Sequence, residues 1–230
     1  MIAVIVPVLN DSDALGGLLA DLAPDPDFEL IVVDGGQDQA VERLLSSRPA
    51  TRLIHAGAGR GRQMNAGAEV TSATWLLFVH ADSRLPYGWA SALAGSNTTV
   101  AGGWFRFALD DTAWQARIVE RLVAWRISMF GLPYGDQGLF VRRSIFDQLG
   151  GFRDWPLMED VDFVRRLSAA GQVVELPMAL RTSARRWRRD GWFRRSARNS
   201  LLVALYFAGV APRRLARWYA RPRSPRKSSD

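Results

Sequence analysis

Acidic side chains at the ends of apolar runs are the residues of this chain best placed to do chemistry. Asp34 closes the run Phe28 to Val33 and precedes Gly35 and Gly36. A carboxylate there can accept from a base N–H or a ribose hydroxyl, and the glycines let a ring approach the backbone. The same Asp could instead hold a turn, although Asp38 is already spaced to cap the next helix. Asp82 stands in His80-Ala81-Asp82, after the run Trp75 to Val79. One carboxylate at a strand end can hold Mg2+ or Mn2+ when a substrate diphosphate supplies further oxygens. The simpler alternative is a hydrogen-bonded turn, with His80 a structural histidine. Glu159 and Asp160 follow Trp155-Pro156-Leu157 and open a helical pattern. A carboxylate there can deprotonate a sugar or lipid hydroxyl, but acids also favour a first helical turn for dipole reasons alone.

Two cationic segments complement these acids. Gly57 to Gly67 is rich in glycine and contains Arg60, Arg62 and Asn65. Its spacing fits neither the dinucleotide fingerprint nor the P-loop. Two arginines at a helix N-terminus still make an anion site; a solvated Gly-Arg loop is the alternative. Arg185-Arg186-Trp187-Arg188-Arg189 joins cations to an aromatic and could clamp a pyrophosphate, hold a lipid head group or stack on a base. A solvated basic helix end would look the same.

The elements that must position these residues alternate. Residues 2–9, Phe28 to Val33 and Trp75 to Val79 are apolar runs of strand length, and Arg52 to His55 is a short strand. Leu15, Leu18, Leu19 and Leu22, then Val41, Leu44 and Leu45, then the stretch to Ala68 have helical spacing. Four strand–helix alternations with short connections predict a parallel sheet covered on both faces. Ligands then bind beyond the carboxyl ends of the strands, where Asn10, Asp11, Asp34, His80 and Asp82 all fall. Further on, the pattern predicts strands over Ala101–Ala108, Leu139–Val141 and Gln172–Leu176. It predicts helices over Trp114–Ser128, Met158–Ala170 and Trp192–Ala208, with a loop from Gly131 to Gly138.

Composition narrows the function classes. The 230 residues are 48% hydrophobic and contain no cysteine, which excludes disulfides and thiolate metal sites. Half of the 30 Lys and Arg residues, but only two of the 23 acidic ones, lie from Arg181 onward. An acidic body with a basic C-terminal part calls for an anionic partner or a large solvated face. No apolar stretch reaches the roughly 20 residues of a membrane span, and the opening Met1-Ile2-Ala3-Val4 reads as a first strand, not a signal peptide. A cytoplasmic protein, peripheral on the inner face of a membrane, is expected. Arg194, Arg195 and Arg198 precede the apolar run Leu201 to Val210, a pattern for either an interfacial helix or a core helix. Few aromatics suited to stacking accompany the basic residues beyond Trp187 and Trp192, so no nucleic-acid partner is expected.

In this order, the segments resemble the family 2 glycosyltransferases of GT-A fold, from Ile2 to about Trp187. Val4-Ile5-Val6-Pro7-Val8-Leu9-Asn10-Asp11 is similar to the family's opening strand, and Val32 to Asp38 to its second motif, with Gln37 replacing Ser. His80-Ala81-Asp82 stands where the D-x-D motif belongs, so only Asp82 carries over as metal ligand. Glu159-Asp160 matches the ED motif. Ser183-Ala184-Arg185-Arg186-Trp187 resembles the QxxRW motif without its Gln. The His-Ala-Asp triplet, Gly135 to Arg142 and the Ser-Ala-Arg-Arg-Trp run are shared with a set of small bacterial transferases. Each motif is weak alone; five in order are specific.

The resemblance implies a GT-A-like single domain, a mostly parallel Rossmann-like sheet flanked by helices. Residues 1–190 form the catalytic domain, with a nucleotide-binding half of about 1–108 and an acceptor half of about 109–190. Basic and apolar helices follow over 191–220, and 221–230 are a disordered tail. It implies a nucleotide-sugar donor, expected to be a uridine diphosphate sugar, with Pro7, Asn10, Asp11, Asp34, Arg60, Arg62, Asn65 and Ala81 around it. Asp82 would hold Mg2+ or Mn2+. Asp160 would be the base, with Glu159 beside it, in an inverting transfer to an acceptor hydroxyl. Asp136, Gln137, Arg186 and Trp187 would face the acceptor or the diphosphate. A lipid-linked acceptor at an anionic membrane surface is one expectation for the partner. A nucleotidyltransferase of similar fold is the competing enzyme, and a non-catalytic binder of nucleic acid or membrane the competing class.

Overall fold

The structure, a computed structural model, describes residues 1–22 and 27–220. Among these residues the chain forms β1 (Ile2–Val8), α1 (Ser12–Asp21), β2 (Phe28–Asp34), α2 (Gln39–Ser46), β3 (Thr51–His55) and α3 (Arg60–Glu69). Then come β4 (Trp75–Phe78), β5 (Ser83–Arg84), α4 (Trp89–Ala94), β6 (Val100–Asp110), α5 (Trp114–Phe130) and β7 (Leu139–Arg142). The last elements are α6 (Arg143–Leu149), α7 (Glu159–Ala170), β8 (Gln172–Ser183), α8 (Arg185–Asp190), α9 (Trp192–Phe207) and α10 (Pro212–Ala220). The expected disordered tail lies outside the described residues.

The strands make one sheet in the order β3-β2-β1-β4-β7-β6-β8-β5. β1, β2, β3 and β4 pair in parallel. β7 runs against both β4 and β6, and β6 and β8 are parallel to each other. The carboxyl ends of β1, β2, β3, β4, β6 and β8 therefore share one edge, and β7 begins there.

The period of two in β1 sets the layers. Ile2, Val4, Val6 and Val8 enter a core with Leu15, Leu18 and Leu19 of α1 and Val41 of α2. Ala3 and Ile5 enter the opposite core with Met64 of α3, Phe146 of α6 and Phe163 of α7. α3 can lie close because Gly67 has no side chain: an added Cβ would collide with Ile5 and Val33.

Two features depart from the sequence pattern. Pro177 suggests that β8 stops at Leu176, yet the strand runs to Ser183. The register jumps from Phe105 opposite Leu176 to Arg106 opposite Ala179, so a bulge absorbs the proline, which has no N–H to pair. The stretch 191–220, expected as helices appended to the domain, packs on it. Leu202 of α9 and Leu215 of α10 are buried with Met158 and with Val161 of α7.

Candidate active site

The shared strand edge carries a cavity of about 110 Å3 whose walls include Arg60, His80, Asp82, Tyr134, Asp136, Asp160, Arg186 and Trp187. Each chemical group arrives on a different element: Arg60 at the start of α3, His80 and Asp82 just after β4, Asp136 on a 3-10 turn before β7, Asp160 in the first turn of α7 and Arg186 in α8. Arg195, Asn199 and Leu202 of α9 and Tyr219 of α10 complete the wall. A site of this volume takes a sugar or phosphate group; a whole nucleotide sugar would extend past its mouth.

Asp160 is held by two backbone donors. The N–H of Gly135 donates to Oδ2 at 2.8 Å and that of Val161 to Oδ1 at 2.8 Å. Gly135 makes the approach possible, since a Cβ there would lie 2.9 Å from Asp160 Oδ2 and 3.4 Å from His80 Nε2. The residue before α7, Met158, has φ +69°, a left-handed conformation that a non-glycine residue pays to adopt and that concentrates at functional sites. Glu159 turns into the protein and lies 2.7 Å from Arg60 Nε. Burial pushes the Glu159 carboxyl up, against the pull of Arg60. The Glu159 charge in turn holds Arg60 firmly protonated.

The other ionisable groups divide by environment. Burial, with Arg60 adding to it, lowers the His80 imidazole to about 4, so it is neutral at physiological pH. Burial raises the Asp136 carboxyl to about 6, with Arg126 opposing and Asp160 reinforcing the shift. Asp82 lies 3.3 Å from Arg185, and Arg185 also binds Asp11 at 2.9 Å, so one guanidinium links the ends of β1 and β4.

Several expected site residues have other partners. Asp34 is fully buried and accepts from Gly36 N at 2.8 Å and Asp38 N at 2.6 Å, while Asp38 caps α2 through Ala40 N. It lies at the end of β2, beside β1, and does not line the cavity. Arg62 turns outward to Asp154 at 2.6 Å. The Asn65 amide is spent on both backbone groups of Phe152, bracing the chain ahead of α7. Gln137 is fully buried, accepting from Tyr134 N and donating to Phe105 O, and so holds the turn that presents Asp136. Pro7 and Ala81 are buried in or just after their strands. Asn10 is exposed with φ +51°, and an added Cβ on Gly36 would meet its Oδ1 at 2.6 Å. Trp187 is buried against Phe107, and its indole N–H donates to Ser196.

Sequence reasoning missed Gln63, Tyr134 and the α9–α10 wall. Buried Gln63 donates from Nε2 to Val8 O and Val33 O, tying the ends of β1 and β2. Glutamine beside two arginines was its only sequence signal. Tyr134 lies under Arg126, whose guanidinium carbon is 3.6 Å from the ring centre.

Among the described residues no group of three His, Cys, Asp or Glu side chains is arranged to hold a metal. The donor set at Asp82, one hard carboxylate oxygen pair beside a neutral imidazole, fits a Mg2+ or Mn2+ ion that takes its remaining ligands from substrate phosphates and water. No helix of the described residues is long and apolar enough to cross a membrane.

Comparisons with known proteins identify the family and the fold. The model of the family described as glycosyl transferase family 2 matches residues 3–150. A PGL/p-HBAD biosynthesis glycosyltransferase of Mycobacterium bovis is 36% identical over 93 residues, covering 37% of this chain and 36% of that protein. Its Mycobacterium tuberculosis counterpart matches equally. The chain thus aligns with little more than a third of these relatives. Among solved structures, S. aureus TarS 1-349 in complex with UDP-GlcNAc superposes with a TM-score of 0.58 at 16% identity, over 79% of this chain and 58% of that one. The same protein with UDP gives 0.57 at 17% identity, over 79% and 60%. These likenesses show a GT-A glycosyltransferase fold.

Proposed function

Because the chain belongs to glycosyl transferase family 2, we propose that it moves a sugar from a nucleoside diphosphate sugar to an acceptor hydroxyl in one displacement. The acceptor oxygen bonds to the anomeric carbon, the bond from that carbon to the phosphate oxygen breaks, and the anomeric configuration inverts. Asp160 takes the acceptor proton. One observation carries this reading: Asp82, Asp136, Asp160, Arg60 and Arg186 line one cavity where the parallel strands end.

The division of labour follows from position. Asp160 has both oxygens oriented by backbone N–H groups, and each oxygen keeps a second lone pair for a hydroxyl proton. Arg60 and Arg186 supply positive charge for the departing diphosphate. Arg185, engaged with Asp11 and Asp82, adds positive charge beside Asp82. Asp82 would hold a divalent Mg2+ or Mn2+, which would neutralise charge on the departing diphosphate. The nucleoside, uridine in this proposal, lies across the ends of β1 and β2 at Asn10, Asp11 and Gly35-Gly36. Asp34 acts there by fixing the turn under the base. Arg62 and Asn65 are left out of the donor contacts, because Asp154 and Phe152 engage them. The UDP-GlcNAc complex of the TarS neighbour supports the choice of nucleotide.

A thermal-shift panel of uridine, guanosine and thymidine diphosphate sugars, with and without Mn2+, tests the donor. A ligand at 100 times its Kd stabilises by about 2.7 kcal/mol. Asp160→Asn should lower turnover by about 10²-fold or more while leaving the UDP-induced shift unchanged. Substantial turnover by that variant would overturn the assignment of the base.

A further inference from the structure

Next to the catalytic cavity lies a larger one of about 560 Å3, enclosed between α5 and α9. Its walls are mainly apolar: Val119, Leu122, Trp125 and Phe130 on α5, with Val203 and Phe207 on α9. The two cavities share Tyr134, Asp136, Trp187, Asn199 and Val203. The cleft is therefore polar at its inner end, where it meets Asp136 and Asn199, and greasy toward the surface.

The outer rim is unusual for a water-facing surface. Trp114, Leu122, Trp125, Met129, Phe130, Phe193 and Phe207 are each about half exposed or more. Trp114 packs on Phe193 across the two helices, and Trp125 packs on Phe130. A contiguous patch of this kind marks a binding surface. Exposed Arg121 and Arg194 lie on these two helices, and exposed Arg213, Arg214 and Arg217 lie on α10, which packs beside α9. Aromatic side chains beside arginines suit the boundary of an anionic bilayer.

We infer that the acceptor is a membrane amphiphile, its hydroxyl-bearing head at Asp136 and Asp160 and its hydrocarbon chain in the cleft between α5 and α9. The position of the head rests on the transferase reading above; the seat of the chain does not. The cleft's continuity with the site selects this occupant, because an amphiphile alone needs an apolar trough that ends beside a base. Residues 221–230, RPRSPRKSSD, contain no leucine, isoleucine, valine, methionine or aromatic side chain to fill it.

Binding of hexyl, octyl and decyl β-D-glucoside, each below its micellar concentration, reads out the chain seat. Each added methylene should tighten binding up to about fourfold, from ~0.8 kcal/mol per buried CH2. Ala204→Trp and, independently, Ser200→Trp fill the cleft from α9, where both native residues are exposed. At least one folded filled variant should lose the chain-length dependence, with UDP binding unchanged. Vesicles containing phosphatidylglycerol should sediment the native protein, and phosphatidylcholine vesicles should not. Binding indifferent to chain length, binding unaffected by either substitution, or no preference for the anionic vesicles would overturn the inference. So would a dimer that both substitutions abolish, since a second copy would then own the cleft. Failure of the native protein to bind UDP, with its own chain-length dependence intact, would sink the transferase reading and leave the cleft standing.

Discussion

At the scale of single residues, the proposed catalysis depends on how closely the backbone at residue 135 approaches Asp160. The Gly135 N–H orients Oδ2, and the space a Cβ would take is filled by that oxygen and by His80. Gly135→Ala should therefore push the carboxylate off its position without touching the nucleotide. A displacement of about 1 Å costs on the order of 10²-fold in rate, so kcat should fall by that factor while the Kd for UDP stays constant. Asp136 makes a second prediction, in stability. Its folded pKa of about 6 exceeds the ordinary carboxylate value, so the folded state holds a proton that the unfolded chain has released. Its relative contribution is most favourable at low pH and is lost as pH rises through 6. The groups facing it are Arg126, Asp160, Arg60 and Asp82. Asp136→Asn removes the penalty. In urea titrations with chelator present, the variant should be more stable than the native protein at pH 7.5, by up to about 3 kcal/mol at ~1.4 kcal/mol per unit. The gap should close below pH 4.

At the scale of elements, what was legible followed from local pattern. β1 and β4, and β2 from Leu30 onward, are buried on both faces, and their apolar runs showed it; the acids that follow them fell at the shared edge for the same reason. The directions of Arg62, Asn65 and Gln137 were not legible. Their partners Asp154, Phe152 and Phe105 lie 92, 87 and 32 residues away in the chain. The continuation of β8 past Pro177 was hidden likewise, because the compensating bulge depends on β6. Context also decides what one substitution does in two helices. Gly17 in α1 has nothing within 4 Å of an added Cβ, whereas Gly67 in α3 is pressed against Ile5 and Val33. Gly17→Ala should stabilise by about 0.5–1 kcal/mol, the helix preference for alanine. Gly67→Ala should cost about 1–3 kcal/mol, because overpacking outweighs that preference. Chemical denaturation of the two variants side by side reads the difference in sign.

At the scale of the whole molecule, the basic C-terminal part is bound to the acidic body by two kinds of force. Ion pairs join Arg185 to Asp11 and Asp82, and Arg188 to Asp111. Apolar burial joins Leu202 and Leu215 to Met158 and Val161. The arginines in those pairs are 43% and 65% exposed, and exposed pairs contribute about 0–1 kcal/mol each, falling with salt. A buried leucine contributes about 1.5–3 kcal/mol, which salt does not screen. The apolar contacts should therefore dominate, and with them the integrity of the site, since Arg195, Asn199, Leu202 and Tyr219 form one wall of the catalytic cavity. A chain ending at Ala184, which removes both the pairing arginines and the leucines, should melt at a lower temperature, bind a hydrophobic dye through the uncovered Met158, Val161 and Phe107, and lose transferase turnover. The stability deficit should be the same at 0.05 and 0.5 M NaCl. A deficit that shrinks with salt would mean that charge, not the buried leucines, fastens the C-terminal helices over the site.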